Sequence, residues 1–181
     1  IKRVAANNFG PKFIDKYYNK TKILNELSDY LNNSLEEFKI IELENHITKD
    51  IHDGHQNGDL TVIWRDWDEI LQNHPKMIYL TSVNPSEVKG PHLHLKRTSY
   101  FTCVEGKVIV IIHDSDGTYH EIECSSEKPR LICVPKNIAS AHINVDNKIS
   151  KVLVLADIAW KPNDNEMINI KFDDYDWSKL N

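Results

Sequence analysis

Two hydrophobic periods divide the chain. Between Asn19 and Phe38, the residues Ile23, Leu24, Leu27, Tyr30, Leu31, Leu35 and Phe38 recur every three or four positions. That spacing puts them on one face of an amphipathic helix, with Asn32, Asn33 and Ser34 on its polar side. After Gly58 the period falls to two, which predicts strands near Leu60–Trp64, Met77–Val83, Pro91–Leu95, Tyr100–Val104, Lys107–His113, Tyr119–Cys124, Arg130–Val134, Ala141–Val145 and Lys151–Asp157. Turn-forming residues separate them: Asn84-Pro85, Glu105-Gly106, Asp114-Ser115-Asp116-Gly117 and Asp146-Asn147. Evenly spaced short strands with tight turns predict an all-β sandwich or barrel, not alternating βαβ units. The expected division is a helical N-terminal extension over residues 1–50 and a β-barrel domain over residues 51–181. The helix is expected to pack on that domain, on a partner subunit or on a further domain. The acidic, aromatic run from Phe172 to Trp177 is expected to be a covering segment at the surface.

Composition narrows the function classes. The chain has 181 residues, 40% hydrophobic and 27% charged, as expected of an ordinary globular domain. Its formal charge of −5 argues against a nucleic-acid partner, while leaving room for a local basic pocket. The longest strictly apolar stretch, Val108 to Ile112, is far too short for a membrane span. Cys103, Cys124 and Cys133 are odd in number and form no C-x-x-C pair, which suits reduced thiols and predicts a cytoplasmic location.

The candidate chemistry lies in the histidines. In Gly90-Pro91-His92-Leu93-His94, a two-residue period sets both imidazoles on one strand face and Leu93 on the other. Such a pair serves as metal ligands, as proton-transfer groups near neutral pH, or as plain solvent-facing polar residues. His142, two residues after Ser140, shares a face with it on a regular strand.

These residues carry a resemblance. Gly90 to Gly106 is similar to the first motif of the cupins, H-x-H followed by a glutamate and then a turn glycine. Gly106 fits, whereas Thr98 and Ser99 stand where the glutamate belongs. Pro135-Lys136-Asn137 and His142 resemble the second motif, with Asn137 for its glycine and the histidine two places late. A narrower resemblance runs from Gly58 to Trp177. Ile78-Tyr79-Leu80-Thr81, Lys89-Gly90-Pro91-His92-Leu93-His94, Cys103-Val104-Glu105-Gly106 and Val152-Leu153-Val154-Leu155-Ala156 are similar to the sugar-nucleotide 3,4-ketoisomerases. Those enzymes carry R-G-x-H-x-H, and the related dTDP-4-dehydrorhamnose 3,5-epimerases share R-G-x-H. Asn57-Gly58-Asp59 resembles their opening strand.

The resemblance implies a cupin jelly-roll barrel that isomerises or epimerises a nucleotide-diphosphate-linked 4-keto-6-deoxyhexose. It implies no cofactor, no required metal, a nucleotide-sugar substrate and a homodimer. By resemblance His92 is the base, with His94 its partner or a second proton carrier. Lys89 replaces the arginine, keeping charge but losing the planar fork. The epimerases' tyrosine falls near Val154 and their aspartate partner has no clear counterpart. The ketoisomerases' aromatic positions fall on Asn57 and Ile78, so Tyr79 and Tyr100 are the candidate proton donors. Arg65 (beside Trp64 and Trp67), Arg97, Asp59, Asn57, Ser99 and His142 are the candidate substrate-binding residues with Lys89. Two further readings stay open: a metal-dependent cupin dioxygenase or isomerase using His92, His94 and His142, and a non-catalytic sugar-nucleotide-binding barrel.

Overall fold

Alternation becomes sheet in the computed structural model of the chain, which describes Leu24, residues 37–71 and residues 73–180. Among the described residues twelve strands follow one another: β1 (Lys39–Glu42), β2 (Glu44–Lys49), β3 (Gln56–Val62), β4 (Met77–Val83), β5 (Val88–His94), β6 (Ser99–Glu105), β7 (Lys107–His113), β8 (Tyr119–Ser125), β9 (Arg130–Val134), β10 (Ala139–Asn144), β11 (Ser150–Ala156) and β12 (Met167–Asn169). One sheet runs β1-β9-β6-β11-β4, another β12-β5-β10-β7-β8, and β2 and β3 form a separate hairpin. Every pairing is antiparallel. Strands β4 to β11 thus pass back and forth between two sheets, with β7 and β8 paired as neighbours in one, the jelly-roll order of the cupin fold.

Each sheet buries its inner face against the other. Phe101 and Cys103 of β6, Val108, Val110 and Ile112 of β7, and Val152 and Val154 of β11 meet in the central core. The outer faces are covered in part as well. Phe172 and Tyr175 from the C-terminal run pack on Ile111, Ala139, Ala141 and Ile143, so β7 is buried on both faces. That accounts for the unbroken apolar run Val108–Ile112, where one covered face would give alternation. Tyr175 is anchored by donating its hydroxyl to Glu121 at 2.8 Å. Over the other sheet, Trp64, Ile70 and Leu71 cover Tyr100, Leu131, Cys133 and Leu155.

The amphipathic helix expected before residue 38 lies outside the described residues except at its two described positions. Leu24 is helical and exposed, whereas Phe38 is not helical and packs against the central core. Residues 39–49, assigned by sequence to the helical extension, are extended, and the compact unit that holds the barrel runs from Glu37 to Asn181. Strand β1 carries apolar Ile40 and Ile41 side by side and pairs with β9, a short signature that the helical period upstream masks. Among the described residues no helix is long and apolar enough to cross a membrane.

Candidate active site

One irregularity in β5 builds the site. Ser140 of β10 pairs with His92 and His142 pairs with Lys89, so two steps along β10 span three along β5. The extra residue is a bulge at Gly90-Pro91. Gly90 has φ +97°, and a Cβ there would meet the Ser140 carbonyl oxygen at 3.0 Å and the His92 nitrogen at 3.1 Å. Only glycine tolerates that conformation and that approach. On a regular strand Lys89 and His92, three residues apart, would point to opposite faces. The bulge turns Lys89, His92 and His94 into the same cavity, of about 300 Å³.

Neighbouring strands complete its wall: Tyr79 and Thr81 from β4, Phe101 from β6, Ser140 and His142 from β10, Val154 from β11 and Met167 from β12, with Arg97 from the β5–β6 loop. Lys89 donates to the Thr81 hydroxyl and, at 3.4 Å, to the Ser82 carbonyl. Tyr79 sits opposite Val154 in the β4–β11 pairing and packs against the core, while Ile78 faces outward. Burial raises the Tyr79 phenol above its ordinary range, the nearby Arg97 charge opposing this. It therefore stays protonated at neutral pH.

The two motif histidines have different surroundings. His92 Nδ1 lies 2.9 Å from Asn169 Oδ1. His94 Nδ1 lies 3.1 Å from both oxygens of Glu166, and Arg97 Nη2 approaches His94 Nε2 at 2.7 Å. Arg97 Nε also faces Glu166, at 3.6 Å. Arg97 and Glu166 are both buried. Burial first, and then the Arg97 charge, lower the His94 pKa below the usual imidazole range against the pull of Glu166. His94 is thus a neutral ring with both nitrogens engaged. His142 is buried edge-on to Phe101, its Nε2 without a hydrogen-bond partner among the described residues. Burial pushes it down to about 4, helped by the charges of His92 and Lys89.

Of the residues singled out by sequence, His92, His94, Tyr79, Lys89, Arg97 and His142 therefore meet in one cavity. The others do not. Tyr100 is on the outer face of β6, next to Leu131 and Cys133, because its neighbour Phe101 takes the inner face. Ser99 is buried in β6 and does not line the cavity; its hydroxyl has no partner among the described residues. Asn57 and Asp59 lie on β3, which pairs with β2 outside both sheets, and Asp59 accepts from Asn45 at 2.6 Å. Arg65 is held by Asp68 and Glu44 and lies over the ring of Trp67.

Sequence reasoning missed Glu166 and Asn169. Both belong to the C-terminal segment that pairs with β5, with Met167 opposite His94 and Asn169 opposite His92. A three-residue strand after Asn163-Asp164-Asn165 is too short to show a period and too polar to suggest burial. His92, His94 and His142 are not a converging donor set. Among the described residues, the one group of three or more such side chains with ligand atoms within 4.8 Å of one another is Asp50, Asp53 and His55. That group sits on the exposed β2–β3 turn.

The family described as FdtA: WxcM-like, C-terminal, matches residues 36–175. No curated protein sequence matches the chain. Solved structures with the same fold include a dTDP sugar isomerase from Desulfovibrio desulfuricans G20, 18% identical, TM-score 0.66, covering 76% of this chain and 86% of that one. The dTDP-6-deoxy-D-glucose-3,5-epimerase of Legionella pneumophila, in complex with dTDP-4-keto-L-rhamnose, is 15% identical, TM-score 0.63, covering 77% and 76%. A 3,4-ketoisomerase from Helicobacter canadensis is 19% identical, TM-score 0.58, covering 80% and 94%.

Proposed function

Because the chain belongs to the WxcM-like, C-terminal family, we propose that it isomerises or epimerises a nucleotide-diphosphate-linked 4-keto-6-deoxyhexose. The observation that carries this reading is the convergence of His92, Tyr79, Lys89 and Arg97 on one cavity. A 4-keto group acidifies the protons at C3 and C5. In the proposed reaction His92 takes one of them through Nε2, and the electron pair moves onto the ketone oxygen as an enolate. Arg97 supplies positive charge beside that oxygen in a buried setting, where it counts for more than in water. Return of a proton, from Tyr79 on the β4 wall, gives the epimer. Transfer of the C3 hydroxyl proton to the C4 oxygen, followed by return of a proton to C4, gives the 3-ketone instead. Electrons and atoms balance within the sugar, so no redox cofactor enters.

Two features support a metal-independent route. His94 directs its lone pair at Arg97, a cation, where a metal ligand would direct it at the ion. His142 is buried against Phe101 and does not converge with the other two histidines. Incubation with dTDP-4-keto-6-deoxyglucose in heavy water is expected to place deuterium at C3 or C5. His92→Asn is expected to lower that exchange by roughly two to four powers of ten. Full exchange in His92→Asn would refute the assignment of the base.

A further inference from the structure

The strand that sequence reasoning missed brings an amide, not a carboxylate, to the side chain of His92. Asn169 is exposed at the sheet edge on β12, and its carboxamide oxygen lies 2.9 Å from His92 Nδ1. An oxygen acceptor at that distance calls for a proton on Nδ1, which in the neutral ring leaves the lone pair on Nε2. Nε2 has no hydrogen-bond partner among the described residues, and His92 lines the cavity.

We propose that Asn169 is the positioning residue of His92: its side-chain oxygen fixes the Nδ1–H tautomer and so presents Nε2 to the cavity as the acceptor. The catalytic meaning of that tautomer rests on the proton-transfer reading above; the tautomer itself does not. An amide, unlike a carboxylate, orients the ring without adding a negative charge. The imidazolium formed after proton abstraction is therefore less stabilised, and the proton is more readily given back. The carboxylate of this site stands at the neighbouring ring, where Glu166 is shared between His94 and Arg97. The remaining charged and titratable groups around His92 are Lys89 and His94 on β5, His142 on β10, Tyr79 on β4 and Arg97.

The test is long-range nitrogen–proton correlation on the uniformly nitrogen-15-labelled full chain, which reads the tautomer of each histidine without substrate. The wild type is expected to show His92 protonated at Nδ1. Asn169→Leu is expected to lose that single tautomer for a mixture, and Asn169→Asp to keep it while moving the His92 titration to higher pH. The acid limb of keto-sugar exchange should move the same way. Asn169 is exposed, so neither substitution removes a core side chain, and unchanged His142 signals confirm an intact fold. A wild-type His92 protonated at Nε2, or an unaltered Nδ1–H form in Asn169→Leu, would overturn the proposal. Absence of exchange in the wild type would instead overturn the sugar-nucleotide reading, while the tautomer still decides the role of Asn169.

Discussion

His94 and His92 are two residues apart on one strand, yet their surroundings give them different work. His94 is bracketed by Glu166 and Arg97, so in the proposed reaction its neutral ring holds the guanidinium in place and His92 carries the proton. His94→Asn is therefore expected to lower exchange less than His92→Asn, and chiefly by loosening Arg97. Equal losses in deuterium incorporation would contradict that division. Tyr79→Phe should slow proton return, because Tyr79 is the phenol on the cavity wall. Tyr100→Phe should leave exchange at the wild-type level, because Tyr100 lies beyond β6 on the outer face. His142 gives a prediction about stability. Its pKa falls from the ordinary 6.5 to about 4 in the folded chain, so the unfolded chain binds the extra proton between those values. The stabilisation is complete above about pH 6.5 and disappears as pH falls to about 4, amounting to about 3 kcal/mol from this one group. His94, lowered in the same direction, adds to the trend. Urea unfolding of His142→Leu across this range should show a shallower dependence on pH than the wild type.

At the level of the strands, the readable part is what period and turn residues encode. Each of the nine strands expected between Leu60 and Asp157 overlaps an observed strand, and eight of them lie in the two sheets, whereas the first, β3, pairs with β2 outside both. The pair His92 and His94 was legible from the two-residue period. What was not legible depends on pairing between distant segments. Lys89 joins the cavity only because β5 bulges opposite β10, and the partners of both histidines arrive with β12, over seventy residues downstream. A local period has nothing to say about a bulge or a three-residue edge strand. The misplacement of Tyr100 has a different origin: its aromatic ring suited a barrel wall, but parity assigns the inner face to Phe101. Gly90 tests the bulge. Gly90→Ala must hold a side chain at positive φ against the Ser140 carbonyl, at a cost of about 1–3 kcal/mol. Denaturant titration should show that loss, and exchange should fall further than the stability change explains, since Lys89 and His92 are re-aimed. A variant with full exchange would mean that the bulge does not position the site.

At the scale of the whole described molecule, β4 is one of four strands that end a five-stranded sheet, and the β2–β3 hairpin stands apart from both. Strand β4 ends its sheet, and its outward residues Ile78 and Leu80 are 58% and 59% exposed. Val104 on β6 adds to the exposed apolar surface of the same sheet. Natural edge strands are normally blunted by charge, proline or a covering element, and β4 carries neither charge nor proline within Met77–Val83. The β2–β3 hairpin has exposed Ile47 and Leu60 and, among the described residues, its two strands pair with each other and with no other strand. An isolated two-stranded hairpin is marginal in water. Both features fit the homodimer that the resemblance implies, with a second copy covering the β4 face. Light scattering at micromolar concentration should therefore return twice the 21.0 kDa mass of the chain. Leu80→Lys, which places a charge on the outward face without touching the cavity side of β4, should shift the protein toward monomer. Exchange measured at the same concentration then separates two roles for the dimer. If the monomeric variant keeps its exchange rate, each barrel holds a complete site, as the enclosure of His92 by strands of a single chain requires. A wild type that scatters as a monomer would leave β4 as an unblunted edge and sink the dimer.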